Sequence, residues 1–208
     1  MQKAIFAGKI KTQDKFNMLD ELIHYDKELF LFLNNSGNET WDAFWLLMTD
    51  KLGFINIAVY VLLLLLSYKA LGLKKTAIAV VTVLLMIVAT DQLANIFKYG
   101  VARLRPCYDP EVSETMRLVK GHCGGKFGFF SAHAANHFAV AFFFTLVLRP
   151  KFRYLGIFLM VWAFLVAYSR IYIGVHFPLD VLSGAVIGLI LSGLFVKFFI
   201  FATAKFPK

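Results

Sequence analysis

Acidic residues are scarce in this chain. Thirteen Asp and Glu stand against 22 Lys and Arg, and charged residues together make only 17% of its 208 residues. With 59% hydrophobic residues and a mean hydropathy of +0.68, that shortage excludes an ordinary soluble domain. An integral membrane protein accommodates so much apolar surface. The net charge of +9 does not point to nucleic acid, because the apolar excess argues against it; membrane topology and an anionic substrate explain it better. A cleavable signal peptide is also missing. Residues 1–20 carry Lys3, Lys9, Lys11, Asp14 and Lys15 and lack a long apolar core, so the first true span is expected to serve as an uncleaved insertion signal.

The apolar runs predict an all-α fold, a polytopic transmembrane helix bundle. Five runs, 53–71, 76–97, 133–148, 154–171 and 179–203, are each near the ~20 residues that a bilayer core requires. Residues 29–51 offer a sixth candidate, opposed by the polar stretch from Asn34 to Glu39 and by Asp42. Ahead of the spans, Leu19, Leu22, Ile23, Leu29, Phe30 and Leu33 recur at roughly helical spacing among Asp20, Glu21, Asp26, Lys27 and Glu28. That pattern predicts an amphipathic helix on the membrane surface, broken at Asn34–Asn38. Trp41, Phe44 and Trp45 suit an interfacial anchor. The chain thus divides into an interfacial part, 1–52, and a transmembrane core, 53–208. Lys69, Lys74 and Lys75, then Arg149, Lys151 and Arg153, then Lys205 and Lys208 fall on one side of a five-span bundle, which the positive-inside rule makes cytoplasmic. The 98–132 segment and the 170–178 connector then face the opposite side. Cys107 and Cys123 lie in that segment, where an oxidising compartment permits a disulfide; two free buried thiols are the alternative.

Three polar stretches interrupt the apolar pattern. In 169–180, Arg170, His176 and Asp180 sit between two spans. Pro178 fits the first turn of a helix, and Asp180 then lies near its positive end, within reach of His176. A carboxylate behind an imidazole fixes its tautomer and stabilises its positive charge. In 98–106, Lys98 supplies a point charge and Arg105 a bidentate fork, a pairing suited to phosphate oxygens. Pro106 disfavours helix at Arg105 and places it in a loop that folds back. In 130–137, Ser131 is a natural N-cap, so the N–H groups of Ala132, His133 and Ala134 form an anion site with His133 at its rim. His133 and His137 are four apart, but no Glu follows the first and no third ligand is evident, so no metal is expected; His137 reads as a hydrogen-bonded bundle residue. Asp91, Asn95 and Lys98 share one helix face. Asp91 is an intramembrane acid, and so a functional candidate or a partner for a neighbouring His or Arg. Gly184, Gly188 and Ser192 continue the face of Asp180, where small residues let helices pack closely.

These stretches resemble the signature of the type 2 phosphatidic acid phosphatase superfamily, which is related to the vanadium haloperoxidases. Lys98 through Arg105-Pro106 matches Lys-x6-Arg-Pro. Phe130-Ser131-Ala132-His133 corresponds to Pro-Ser-Gly-His, with Phe130 for Pro and Ala132 for Gly. Ser169-Arg170, His176 and Asp180 match Ser-Arg-x5-His-x3-Asp. The resemblance implies a metal-independent, cofactor-free membrane lipid phosphatase. In it, Lys98, Arg105, Arg170, Ser131 and the N–H of Ala132 hold the phosphate. His176 is the nucleophile, oriented by Asp180, and His133 protonates the leaving oxygen. Asp91, Asn95, His137 and Ser169 are candidates for a supporting shell. The expected substrate is a lipid phosphate or diphosphate, with undecaprenyl diphosphate leading. A lipid A phosphatase or a phosphotransferase of the same fold is the alternative, and a non-catalytic lipid-phosphate binder or transporter is the alternative of another class. The expected partners are the lipid substrate and membrane lipids, with no nucleic acid. The expected location is a bacterial-type inner membrane with the site facing outward. Oligomeric state is not legible.

Overall fold

One residue decides how the longest helix runs. The computed structural model describes the backbone from Gln2 to Lys205 and the side chains from Met18 onward; Lys208, expected among the cytoplasmic charges, and the side chains of Lys3, Lys9, Lys11, Asp14 and Lys15 lie outside the described residues. The described chain forms α1 (Gln2–Asn35), α2 (Glu39–Thr49), α3 (Phe54–Val101), a short 3₁₀ turn (Pro106–Tyr108), α4 (Ala132–Leu148), α5 (Leu155–Tyr172) and α6 (Pro178–Thr203). Within α3, Gly72 has φ 76° and ψ 171°, a conformation that only glycine adopts without a steric cost. A straight helix of this length would run about 72 Å at 1.5 Å per residue. Instead Lys51, just before α3, and Lys98, near its end, line the same cavity, so the two arms fold back on each other at Gly72. The sequence suggested a loop around Lys74 and Lys75; the turn takes a single non-helical residue, and Thr76 Oγ1 donates to the Gly72 carbonyl just beyond it.

The helices α3, α5 and α6 are long and apolar enough to cross a membrane, and α4 is a shorter apolar helix. Their outward faces carry exposed Leu65, Val81, Val88, Ile157, Phe164, Ile190 and Ile200, which suits contact with lipid tails. Met86, Phe143, Leu148, Leu159 and Trp162 form the dry core between them. α2 ends after 11 residues, too short to span on its own, and Asn34, Ser36 and Gly37 end α1 before it. Thus 29–51 is not a single membrane-crossing helix.

α1 does more than present an amphipathic face. Phe30 is wholly buried against Phe177, at a ring separation of 5.2 Å, and Asn34 is wholly buried beneath the end of α5. The Asn34 carboxamide donates to the Tyr172 carbonyl at 2.8 Å and accepts from the Arg117 N–H at 2.7 Å. Leu19, Leu22, Leu29 and Phe32 remain exposed on the other side of the helix. α2 packs Trp45 against Tyr168 and Tyr172.

α4 and α6 make the closest helix pair around the site. A methyl added at Gly184 would lie 2.5 Å from the Ser131 carbonyl oxygen, and one at Gly188 would collide with the Ala135 carbonyl. The small-residue stripe therefore seats the N-terminus of α4 against α6, which fixes His133 and Asp180 relative to one another. Gly193, on the same helix, has open space around it. Gly188→Val should destabilise the detergent-solubilised protein by about 1–3 kcal/mol through overpacking, a drop of several degrees in a thermal melt, whereas Gly193→Ala should leave the melt unchanged.

Candidate active site

The N-terminus of α4, the C-terminal ends of α3 and α5 and the start of α6 converge on one cavity of about 290 Å³. It is lined by Lys51, Asp91, Asn95, Lys98, Arg105, Ala132, His133, Arg170 and His176. Four cations face one acid in its walls. Lys98, Arg105, Arg170, His133 and His176, drawn from three separate stretches of sequence, are thus brought together, as are Asp91 and Asn95.

Each cation is aimed by its own local structure. α3 stops at Val101 because Ala102 turns left-handed, with φ 53°. Arg105 is then extended ahead of Pro106, and an isolated bridge pairs Leu104 with Phe127. The Arg105 guanidinium donates from Nη1 to the Cys123 carbonyl at 2.8 Å and from Nε to the Phe127 carbonyl at 3.2 Å. Cys123 is in turn bonded to Cys107, across a Cα separation of 6.3 Å. The disulfide therefore braces the loop that holds the Arg105 head. Arg170 is buried at 5% exposure and donates to the Thr49 hydroxyl of α2. Lys51 sits in the turn between α2 and α3. The Asn56 side chain locks that turn by donating to the Met48 and Asp50 carbonyls, while its own oxygen accepts from Trp162 Nε1 at 2.8 Å.

His176 is 2% exposed. Its Nδ1 faces Asp180 Oδ2 at 3.4 Å, a close contact rather than an aligned hydrogen bond. Burial pushes the imidazole down to about 4, against the opposing pull of Asp180, so it is neutral near pH 7. Asp180, wholly buried, also accepts from the Phe177 N–H at 3.1 Å, in the first turn of α6 behind Pro178. Its other oxygen accepts from Arg103 Nη1 at 2.9 Å. Arg103 lies over the Phe177 ring, 4.5 Å from its centroid, and its second amino group meets Asp26 of α1.

Other expected residues fall outside the cavity wall. Ser131 is wholly buried and is not among the lining residues. Its hydroxyl accepts from the Ala134 N–H at 3.5 Å, so it caps α4, occupies one of the three N–H groups expected to be free, and leaves those of Ala132 and His133. Ser169 is buried and donates to the Val166 carbonyl within its own helix. His137 Nδ1 pairs with the His133 carbonyl at 2.8 Å, and its Nε2 lies 3.4 Å from the Tyr60 hydroxyl. Asp91, which does line the cavity, accepts from the Asn136 carboxamide at 2.8 Å, a partner that is neither a His nor an Arg.

With this geometry the comparisons with known proteins agree. The family model described as PAP2 superfamily matches residues 79–203. The chain belongs to the PAP2 superfamily. Among its PAP2 relatives, the lipid A 4'-phosphatase of Bacteroides thetaiotaomicron is 38% identical, over 82% of this chain and 75% of that protein. The lipid A 4'-phosphatase of Porphyromonas gingivalis is 34% identical, over 90% of this chain and 78% of that one. The crystal structure of Aquifex aeolicus LpxE superposes with a TM-score of 0.59 at 28% identity, covering 82% of this chain and 93% of its own. The protein is a membrane PAP2 lipid phosphatase, a phosphoric ester hydrolase.

Four residues of the site were missed in the sequence. Lys51 and Asp26 lie in the part taken for a surface anchor. Arg103 sits inside the Lys98–Pro106 stretch, between the two cations that match the motif. Asn136 lies between two histidines that drew the attention. Only Arg103 carried a signal, its place two residues before Arg105 in a chain turning out of helix.

The disulfide gives this site a measurable dependence. Joining Cys107 and Cys123 contributes about 3 kcal/mol of loop-closure stabilisation, but its nearer effect is on Arg105. The Cys107→Ser/Cys123→Ser double variant, or reduction of the native enzyme, should lower kcat/KM several-fold, since the Arg105 head is then less firmly held.

Proposed function

We propose that the protein hydrolyses a phosphate monoester from the sugar head group of a lipid A-type glycolipid, through a phosphohistidine on His176. The observation that carries the chemistry is the cavity itself: four cations converge on a buried, neutral imidazole backed by a carboxylate. Lys98, Arg105, Arg170 and the N–H groups of Ala132 and His133 bind the phosphate oxygens and spread its charge, which is most of what phosphoryl transfer requires. The Nδ1–H of His176 faces Asp180, so Nε2 carries the free lone pair. That nitrogen attacks phosphorus as the bond to the lipid oxygen breaks. His133, protonated once the bound phosphate offsets the surrounding cations, gives its proton to the departing oxygen. Water then attacks the phosphohistidine, His133 takes its proton, and inorganic phosphate leaves. No metal ion has a step to perform in this scheme.

The substrate assignment is supported by the two lipid A 4'-phosphatases, which align with most of this chain. It replaces undecaprenyl diphosphate as the leading substrate. We further propose that the chain crosses the inner membrane five times, with α1 and α2 at the interface and the 98–132 loop on the outer side. The clusters of Lys and Arg at 69–75 and 149–153 support that orientation, as does a disulfide beside the cavity.

His176→Ala should release no phosphate while the protein keeps its melting behaviour. In kcat/KM, which reports the first transfer, His133→Ala should lose about 10²-fold or more on a lipid phosphate, but far less on an aryl phosphate, whose leaving oxygen needs no proton. Phosphate release measured across lipid A, undecaprenyl diphosphate and phosphatidylglycerophosphate, with EDTA present throughout, should be fastest on lipid A. Faster release from undecaprenyl diphosphate would overturn the substrate, and collapse of activity in EDTA would overturn metal independence.

A further inference from the structure

We infer that Arg103 and Asp26 form a positioning pair for the His176–Asp180 dyad, so that docking of the N-terminal helix α1 sets how the carboxylate is aimed. This rests on His176 acting as the nucleophile. Arg103 is not among the residues lining the phosphate cavity. Its two amino groups instead go to two carboxylates: Nη1 to Asp180 Oδ1 at 2.9 Å and Nη2 to Asp26 Oδ2. The remaining oxygen of Asp26 accepts from the Leu179 N–H at 2.8 Å, so α1 is tied to the first turn of α6 from 153 residues away in sequence. Asp26 is 3% exposed and Asp180 wholly buried, and the Arg103 guanidinium is packed on the buried Phe177 ring. With Oδ1 of Asp180 held by Arg103 and Oδ2 held by the Phe177 N–H, the carboxylate has no freedom to swing from His176.

The arrangement also meters charge. Arg103 draws negative charge from Asp180 and so weakens the hold of Asp180 on the imidazole proton. Asp26 draws on the same guanidinium and restores part of that hold. The other charged or titratable groups around His176 are Lys51, Asp91 and Lys98 beside the cavity, Arg105 from the loop, His133 of α4 and Arg170 of α5; none of these changes in the variants below. Removing Arg103 must therefore raise the pH at which His176 takes up a proton, and removing the charge of Asp26 must lower it. A residue that only held the fold together would move neither in a defined direction.

The test compares wild type with Arg103→Gln, Arg103→Lys, Asp26→Asn and His176→Ala, following the acid limb of kcat/KM on one lipid phosphate. The ionisation of the substrate is common to all of them. The limb should shift upward by about half a pH unit or more in Arg103→Gln and downward in Asp26→Asn, and Arg103→Lys should return it toward wild type. kcat should fall roughly tenfold or more in Arg103→Gln and Asp26→Asn with KM little changed, because neither residue touches the phosphate. Inhibition by inorganic phosphate should stay near wild type, which certifies a folded cavity. Unmoved limbs in both variants, or shifts of the same sign, would overturn the positioning role. An active His176→Ala would instead overturn the nucleophile on which that role rests.

Discussion

Four like charges held around one cavity repel each other until an anion arrives, and most of the structure serves to hold them there. Lys51, Lys98, Arg105 and Arg170 face only Asp91 in the cavity wall. In a site with low-dielectric walls that repulsion is costly, and the attraction for a phosphate is correspondingly large. Three of the four have a neutral restraint of their own. Carbonyls of a disulfide-braced loop take Arg105, a hydroxyl of α2 takes Arg170, and a carboxamide-locked turn presents Lys51. These partners are neutral. They fix position without cancelling charge, so most of the electrostatic pull stays available to a bound anion.

The dyad follows the opposite logic. Asp180 is wholly buried, where an unpartnered carboxylate would be destabilising, and it is satisfied by a guanidinium and a backbone N–H rather than by water. Arg103 solves the same problem for Asp26. One cation thus stabilises two buried acids and ties α1 to the start of α6. Both Asp26 and Lys51 come from the first 52 residues, so the part that composition marks as interfacial also contributes side chains beside the cavity.

Much was legible in the sequence because it depends on local rules. Apolar runs mark the helices, Pro106 and Pro178 mark where backbone must leave or enter helix, and Ser131 marks the start of α4. The Gly184–Gly188–Ser192 stripe marked a close helix contact before any partner was known. What was hidden depends on long-range geometry. Asp26 looks like one acid in a charged stretch, and only its position opposite the start of α6 gives it a role. Lys51 has no motif around it, and the turn that carries it is held by Asn56 of α3, itself bonded to Trp162 of α5. Ser131 shows the converse. Its motif suggested a phosphate ligand, and in the fold its hydroxyl also accepts from the Ala134 N–H, a capping role that leaves its own proton free to be donated.

The central claim is that the converging cations deliver a phosphate to the buried nitrogen of His176. Rapid quenching of turnover into alkali, followed by mapping of the bound phosphate by mass spectrometry, tests it most directly. The account predicts an acid-labile, alkali-stable phosphate on His176, formed at least as fast as inorganic phosphate is released. Turnover that leaves phosphate on a different residue, or on none, would contradict it.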